Sequence, residues 1–421
     1  MTPQAPDASA PLADWLRWQE ALHPQPIALG LERVAAVAAR LGLPAAGPLT
    51  FTIAGTNGKG STAALLTEIL LAAGQRVGTY TSPHLLRYNE RVAVNGEAAP
   101  DAVLGGAFAA VEQARHGVPL TYFEFGTLAA LWLFREAAVA VQVLEVGLGG
   151  RLDAVNLVDA DCALITSIGL DHLEYLGADR ERIGREKAGI LRAGRPAVCS
   201  DADPPRAIGA EAAALGAPLW QLGRDFHVQR AADAWNWHGP GCHYKKLPPP
   251  ALAGAMQFDN AAGAIAALER VRGRLEVPQA ALRAGLARLC LPGRFERRGG
   301  VVLDVAHNVE AARVLADNLR SIAPGGFIFV MGMLSDKPVE GFAEALAPLA
   351  AKFHVAALPP PRGLPAEQLA ARLAGCGVPV EPHDSVAAAL AAARREAGTR
   401  GTVVACGSFL TVAAAAEQLR G

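Results

Sequence analysis

The segment FTIAGTNGKGSTAALL, residues 51–66, places a lysine among closely spaced glycines. An apolar run precedes Gly55 and a helical pattern follows Ser61, so the segment predicts strand, loop and helix. Glycines let backbone N–H groups converge on one anion, the helix N-terminus adds a positive partial charge, and Lys59 adds a full charge. A nucleotide phosphate is the predicted ligand. The plainer alternative is a glycine-rich turn with a solvated lysine.

The loop is a variant of the general phosphate-binding pattern G-x-x-x-x-G-K-[ST]. Ile53 stands where that pattern has its first glycine, and Gly60 follows Lys59 where the pattern has Ser or Thr.

Three polar side chains follow other predicted strands. These strands are predicted over residues 76–81, 139–146 and 162–168. Ser82, Glu145 and His172 come at or after their ends, at the sheet edge where open α/β folds bind ligands. Carboxylate and hydroxyl oxygens suit Mg²⁺, and Glu145 is the best placed to hold it beside a phosphate loop. Alternatively, Ser82 only caps a turn, Glu145 is a structural acid and His172 is a core residue.

Further candidates have two interpretations each. Lys187 lies on a charged helix within residues 178–194, which is ordinarily a solvated face; it could instead anchor a ligand or, if carbamylated, act as an acidic group. The apolar run Ile27, Ala28 and Leu29 favours plain packing over a wall for a planar ligand. The aromatic pair Phe123 and Phe125 belongs either to the core or against a ring.

Composition restricts the class of protein. The 421 residues predict two or three domains, and 51% hydrophobic content favours globular α/β packing. With 39 basic and 40 acidic residues, the net charge of −1 gives no electrostatic case for nucleic acid. The cluster Arg294, Arg297 and Arg298 fits a small anionic ligand better.

The spacing of the cysteines and the length of the apolar runs indicate the cellular compartment. The six cysteines show no C-x-x-C spacing and are predicted to be buried free thiols. No run approaches a membrane span, and the first residues lack a signal-peptide pattern. We therefore expect a cytoplasmic protein without a membrane partner.

The rest of the chain alternates strands and helices. Helices are predicted over 31–41, 101–115, 124–138, 256–272 and 278–290, and a hairpin over 226–246 with Trp235 and Trp237 as packing residues. The segment LPGRFERRGG, 291–300, is predicted to link two domains. About five strand–helix units follow it, with Asp304, His307 and Asn308 at the end of their first strand. We expect this second domain to contribute to the same site.

Taken together, these segments resemble the folylpolyglutamate synthase and dihydrofolate synthase family, whose members are relatives of the Mur ligases. The segments that carry the resemblance are AGTNGKGST (54–62), TSPHLLRYNERVAVNG (81–96), TYFEFGT (121–127), EVGLGGRLDAVN (145–156), SIGLDH (167–172), EKAGI (186–190), PGRFE (292–296), DVAHN (304–308), GMLSDKP (332–338) and GSFLTV (407–412). The resemblance covers nearly the whole chain. It departs at Val309, where the family usually has proline, which should alter only a helix start.

The resemblance implies an α/β fold. A P-loop ATPase domain with a mostly parallel sheet would cover 1–290, a linker 291–298, and a smaller Rossmann-like glutamate ligase domain 299–421. The implied activity is ATP-dependent addition of L-glutamate to dihydropteroate and to the γ-carboxylate of folates through an acyl phosphate. ATP and Mg²⁺ are the implied cofactors, and family members are typically monomers.

The resemblance also implies site residues. The nucleotide contacts would be Thr56, Asn57, Gly58, Lys59, Gly60, Ser61, Asn260, Arg294 and Asp304. The Mg²⁺ ligands would be Ser82, Glu145 and His172. Three segments would form the walls of the site that binds the acceptor, the pterin substrate. The first wall would be Ile27, Ala28 and Leu29, the second Thr121, Tyr122, Phe123 and Glu124, and the third Leu152, Asp153 and Ala154. This assignment reverses the packing interpretation of Ile27–Leu29. The catalytic residues would be Lys59, His172, Asp304, His307 and Lys187, the last as the carbamylated lysine.

Four alternatives stay open at this stage. The chain could perform only one of the two syntheses, or act as a Mur-type ligase on a nucleotide-linked peptide. It could also be a phosphate-loop NTPase or a non-catalytic nucleotide-binding protein.

Overall fold

The computed structural model describes residues 4–7, 9–25, 27–43, 47–399 and 401–420. Two compact units divide the chain: 1–251 with 258–289, and 252–257 with 290–421. The predicted domain boundaries stay a prediction. Among the described helices, none is both long and apolar enough to cross a membrane.

The first unit is an α/β layer structure. Its strands are β1 (Leu49–Ala54), β2 (Val77–Tyr80), β3 (Val92–Val94), β4 (Glu97–Ala98), β5 (Val141–Glu145), β6 (Cys162–Ile165), β7 (Ala197–Cys199), β8 (Leu219–Gln221), β9 (His227–Arg230), β10 (Trp235–Gly239) and β11 (Cys242–Leu247). The helices in this part of the chain are α1 (Leu12–Glu20), α2 (Glu32–Arg40), α3 (Lys59–Ala72), α4 (Asp101–Arg115), α5 (Tyr122–Glu136), α6 (Leu173–Leu176), α7 (Arg180–Ala188), α8 (Arg206–Leu215), α9 (Met256–Arg270) and α10 (Gln279–Arg288).

Strand β1 lies in the middle of an eight-stranded sheet of order β4-β3-β2-β5-β1-β6-β7-β8. All its pairings are parallel except those of β3 with β2 and β4. Ile53 and Glu145 are register partners, so the end of β5 lies beside the start of the loop that follows β1. Parallel strands present their carboxyl ends at one edge, which is where a ligand site forms in such sheets.

Buried side chains explain why these segments fold as they do. All six residues of β1 and all five of β5 are buried, as expected of strands covered on both faces. Phe125 is fully buried and meets Trp18 and Phe108 edge-on, which settles it as a core residue.

The hairpin predicted over 226–246 is part of a three-stranded antiparallel sheet of order β11-β10-β9. Trp235 and Trp237 are 1% and 0% exposed, so their interpretation as packing residues is confirmed.

The second unit has a six-stranded sheet of order β12-β13-β17-β14-β15-β16. Its strands are β12 (Glu296–Arg298), β13 (Val301–Leu303), β14 (Phe327–Met331), β15 (Ala350–Ala356), β16 (Val380–His383) and β17 (Val403–Cys406). Its helices are α11 (Val309–Arg320), α12 (Val339–Leu346), α13 (Ala366–Leu373), α14 (Val386–Ala397) and α15 (Phe409–Gln418). The five predicted strand–helix units are present, and β12 adds an antiparallel edge strand from residues predicted to be linker.

Three expectations about local structure were wrong. The helix predicted from 124 begins at Tyr122, because Thr121 and Glu124 form a capping box that starts it earlier. Strand β6 ends at Ile165, so His172 comes seven residues later and caps helix α6 instead of ending a strand. Of the cysteines, Cys290 is exposed, and the Cys242 and Cys376 thiols are only partly buried.

Candidate active site

The loop between β1 and α3 has a backbone that requires glycine. Gly58 caps the helix with φ +89°, and a Cβ there would lie 2.5 Å from Asn260 Oδ1. At Gly55 a Cβ would collide with Thr166 Oγ1. The predicted nucleotide ligand Asn260 therefore lies directly against the loop. Gly60 and Ser61 belong to the first turn of α3, whose N–H groups are available to an anion.

Residues just after β6 hold the loop in place. Thr56 Oγ1 donates to Gly169 O (3.1 Å) and accepts from Gly169 N (3.0 Å). The Asn57 carbonyl accepts from Thr166 Oγ1 (2.8 Å) and Ser167 Oγ (3.1 Å). Sequence reasoning missed Thr166 as a supporting residue. Its signal was a hydroxyl pair directly after a buried strand.

Two lysines share one backbone oxygen. Lys59 Nζ donates to Gly55 O (3.0 Å) and Thr56 O (3.2 Å), and Lys187 Nζ donates to the same Gly55 O (2.8 Å). Two ammonium groups this close repel each other, so the arrangement favours an added negative charge or the loss of one proton.

Lys187 is 4% exposed on helix α7. Burial first, and then the neighbouring Lys59 charge, lowers its pKa to about 7, while Asp171 and Asp153 act in the opposite direction. The interpretation as a solvated helix face is wrong, because the helix turns this side chain inward. A buried amine with this pKa is available unprotonated near neutral pH.

The predicted metal ligands are partly brought together. Glu145 is 4% exposed at the end of β5, and its Oε2 accepts from the Ser82 backbone N–H at 3.1 Å. His172 has φ +51°, and its N–H donates to its neighbour Asp171 (2.9 Å). Carboxylate and hydroxyl oxygens are the donors that a hard divalent cation prefers, so Glu145 and Ser82 fit Mg²⁺ or Mn²⁺.

The three predicted acceptor walls meet through hydrogen bonds. Gly30 N donates to Leu152 O (3.2 Å), which joins the first wall to the third. Arg33 Nη2 donates to Ala28 O (2.7 Å) and Glu124 Oε1 (2.9 Å), which joins the first wall to the second. Arg33 was not predicted from the sequence, although it follows the apolar run by four residues.

The side chains of these walls include partly exposed apolar and aromatic groups. Ile27 and Ala28 are partly exposed and Leu29 is 36% exposed, so plain packing does not describe them. The Phe123 ring lies 5.8 Å from Tyr80 and fills the space where Gly147 has no side chain. The Tyr122 ring has the Arg91 guanidinium 5.5 Å from its centre. Ala154, by contrast, is 4% exposed.

Asp153 is a buried acid at the third wall. Its Oδ2 accepts from the N–H groups of Gly147 (3.1 Å) and Leu148 (2.9 Å), and its Oδ1 accepts from Val155 (3.0 Å). Burial nevertheless raises its pKa to about 7. These bonds shape the glycine-rich turn that follows Glu145.

The second unit has its own polar cluster after β13. The partly buried Asp304 carboxylate accepts from the N–H groups of Phe295 (2.9 Å) and Ala306 (2.9 Å), and loss of solvation raises its pKa against the opposing Arg294 charge. Arg294 and His307 both flank the Phe409 ring, at 5.3 and 6.0 Å. Helix α11 begins at Val309 with Asn308 as its side-chain cap, so the helix forms without the family's proline.

Comparison with known proteins identifies the family. Residues 53–268 match the Mur ligase middle domain, and residues 293–409 match the Mur ligase glutamate ligase domain. The chain is 47% identical to the dihydrofolate synthase/folylpolyglutamate synthase of Escherichia coli K12 over 414 residues, covering 97% of this chain and 96% of that protein. The chain belongs to this family. The Haemophilus influenzae Rd member is 37% identical over 96% of this chain and 97% of its own.

Solved structures of this synthase family agree in fold. The E. coli FolC structure in complex with DHPP and ADP has a TM-score of 0.93 at 45% identity, covering 98% of this chain and 99% of that chain. The Yersinia pestis bifunctional synthase complexed with AMPPNP and Mn ion has a TM-score of 0.92 at 46% identity, covering 99% and 100%. These relatives confirm the predicted family and the α/β fold, and their complexes contain ADP in the E. coli structure and AMPPNP with Mn ion in the Y. pestis structure.

Proposed function

We infer that this chain is an ATP-dependent carboxylate–amine ligase, a bifunctional dihydrofolate synthase and folylpolyglutamate synthase. It adds L-glutamate to dihydropteroate and to the γ-carboxylate of folates through an acyl phosphate. The family relationship supports the activity. The observation that carries the chemistry is the Gly55 carbonyl, which holds Lys59 and Lys187 together beside the strand end that bears Glu145.

Phosphoryl transfer brings an anionic carboxylate to an anionic γ-phosphate. We propose that the loop N–H groups, the α3 N-terminus and Lys59 bind the phosphates and stabilise the charge that spreads in the transition state. Thr56 and Asn57 are anchored to residues 166–169, so the loop is held rigid before the nucleotide arrives. Asn260 supports the loop at Gly58.

Glu145 and Ser82, with His172, are the proposed Mg²⁺ ligands. When bound, the metal ion supplies charge that offsets repulsion between the carboxylate and the phosphates. The protein orients its own donors: the Ser82 N–H fixes one oxygen of Glu145.

Lys187 is the proposed site of carbamylation. Its neutral amine attacks CO₂ to form an N–C bond and releases one proton, which replaces a buried cation by a carbamate anion. The depressed pKa makes the neutral amine accessible. Lys187→Ala should be inactive and partly restored by short-chain carboxylic acids that fill the vacated space. Activity without any rescue agent would contradict this role.

The acceptor binds, in this proposal, against the three walls that Arg33 and Gly30 connect. Phe123 and Tyr122 offer ring surfaces to a planar pterin, and the partly exposed Ile27 and Leu29 offer apolar contact. The roles of Arg294, Asp304 and His307, a monomeric state, and a cytoplasmic location without nucleic-acid or membrane partners stay predictions.

ADP release tests the proposed function. The purified protein is incubated with ATP, Mg²⁺ and L-glutamate, and with dihydropteroate, tetrahydrofolate or no acceptor. We expect release with both acceptors and none without. Release with one acceptor would restrict the function to that synthesis. Release without an acceptor would favour an NTPase, and no release in any mixture would point to a Mur-type acceptor.

A further inference from the structure

A cluster of imidazole and carboxylate groups lies on one face of the second unit's sheet, at strands β15 and β16. His354 and Glu381 are parallel register partners, and His383 is two residues beyond Glu381, so the three side chains share a face. Among the residues that the structure describes, these three form the group whose potential ligand atoms all lie within 4.8 Å of one another.

The separations between the donor atoms suit a small metal ion. His354 Nδ1 lies 2.9 Å from His383 Nε2 and 3.9 Å from Glu381 Oε2, and His383 Nε2 lies 3.7 Å from Glu381 Oε1. Zinc bonds of ~2.0–2.1 Å in tetrahedral geometry place neighbouring donors about 3.3 Å apart. The three observed separations bracket that value, so small side-chain movements would complete a set of two histidines and one carboxylate.

The second nitrogen of His354 is already oriented as metal-binding histidines usually are. His354 Nε2 lies 3.2 Å from Glu396 Oε2 on α14, which packs on β15 and β16. A carboxylate only accepts, so this contact puts the proton on Nε2 and leaves the lone pair of Nδ1 directed at His383. A carboxylate behind a ligating histidine fixes its tautomer and raises its basicity.

The three side chains differ in their exposure to solvent, as expected of a metal site that is open on one side. The His354 side chain is 1% exposed, His383 is 12% exposed and Glu381 is 45% exposed. The deep ligand is therefore fixed, and an ion enters from the Glu381 side. Solvent would supply the fourth position.

We propose that His354, His383 and Glu381 form a Zn²⁺ site that is separate from the ligase chemistry. Before binding, the proton between the two imidazole rings is on His383 Nε2. The ion takes its place, and this proton moves to His383 Nδ1. Lys352 is the competitor, because its Nζ lies 2.7 Å from Glu381 Oε2 and 3.0 Å from Glu396 Oε2. The ammonium leaves Glu381 and stays on Glu396 when the metal binds.

Zinc titration of the full-length protein tests the site. Calorimetry with Zn²⁺ is done in excess Mg²⁺, which occupies the hard-donor site. His383→Gln should remove one zinc equivalent or weaken its binding by at least 100-fold. Lys352→Met should instead tighten binding about tenfold, because the competing cation is gone.

Matched measurements separate a metal site from an ordinary ion-pair network. His116→Asn, which changes an exposed histidine in the first unit, should leave the zinc isotherm unchanged. Tetrahedral Co²⁺ absorption should appear in the wild type and disappear in His383→Gln, while ADP release stays the same. Identical zinc isotherms for the wild type, His383→Gln and Lys352→Met would overturn the proposal.

Discussion

Lys187 combines burial, a depressed pKa and a hydrogen bond to the backbone oxygen that Lys59 also uses. The cationic form of such a lysine is costly in the folded state. Its pKa falls from 10.5 to about 7 on folding, so the folded protein binds fewer protons than the unfolded chain between those values. The cost is full below about pH 7 and fades as the pH rises towards 10.5.

Lys187→Met should therefore stabilise the protein at low pH. In CO₂-free buffer without nucleotide, we expect a gain of about 1–3 kcal/mol in the free energy of unfolding near pH 6.5, and a smaller gain near pH 9.5. Urea unfolding at several pH values measures it. Lys245→Met, at an exposed lysine, is the control for removing a side chain of the same type. A gain that grows with pH would contradict the sign of the shift.

Helix α3 allows a controlled test of the phosphate loop at the level of one element. Gly58 caps its N-terminus with φ +89°, and Gly74 follows its C-terminus with φ +75°. Both positions disfavour other residues, but only Gly58 has a neighbour within reach of a Cβ, namely Asn260.

Gly58→Ala should raise the KM for ATP at least tenfold, because the methyl group displaces Asn260 and the loop with it. Gly74→Ala should leave that KM unchanged and cost only about 1 kcal/mol of stability from its backbone conformation. Steady-state ADP release and urea unfolding measure both. Equal KM values for ATP in the two variants would show that the loop geometry at Gly58 does not contribute to nucleotide binding.

Arg33 connects helix α2 to the cap of α5 through Glu124, whose side chain is 4% exposed. Arg33→Met leaves that carboxylate without its cation, so we expect a loss of about 1–3 kcal/mol and a several-fold higher KM for dihydropteroate, with the KM for ATP unchanged. Arg17→Met breaks an exposed ion pair with Asp14 and should cost less than about 0.5 kcal/mol. A raised KM for ATP alone would place Arg33 outside the acceptor wall.

Across the whole molecule, the sequence predicted the features that depend on residues close together in the chain. The phosphate loop, the βα alternation and the strand end at Glu145 follow from glycine spacing and apolar runs. It could not predict that Thr166 supports the loop or that Arg33 reaches Glu124, since these contacts span 109 and 91 residues. Burial of Lys187 was also missed, because a charged helix gives no local sign of which side chain reaches the distant phosphate loop.

A chain that performs two syntheses must activate two different acceptors. We propose that dihydropteroate and folates each present a carboxylate to the same phosphoryl group, so that Glu145, the proposed metal ligand, serves both reactions. Glu145→Gln keeps the shape of the side chain but removes its charge. We expect both activities to fall at least about 1,000-fold and in the same proportion, because metal charge stabilisation is worth several kcal/mol.

ADP release with each acceptor measures the two losses, and an unchanged far-ultraviolet circular dichroism spectrum shows that the fold survives. Glu136→Gln, at the half-exposed end of α5, should leave both activities intact. Survival of one activity in Glu145→Gln would mean that the two acceptors do not share this carboxylate. Parallel loss would support a single phosphoryl-transfer site in which acceptor choice is made by the walls around Arg33.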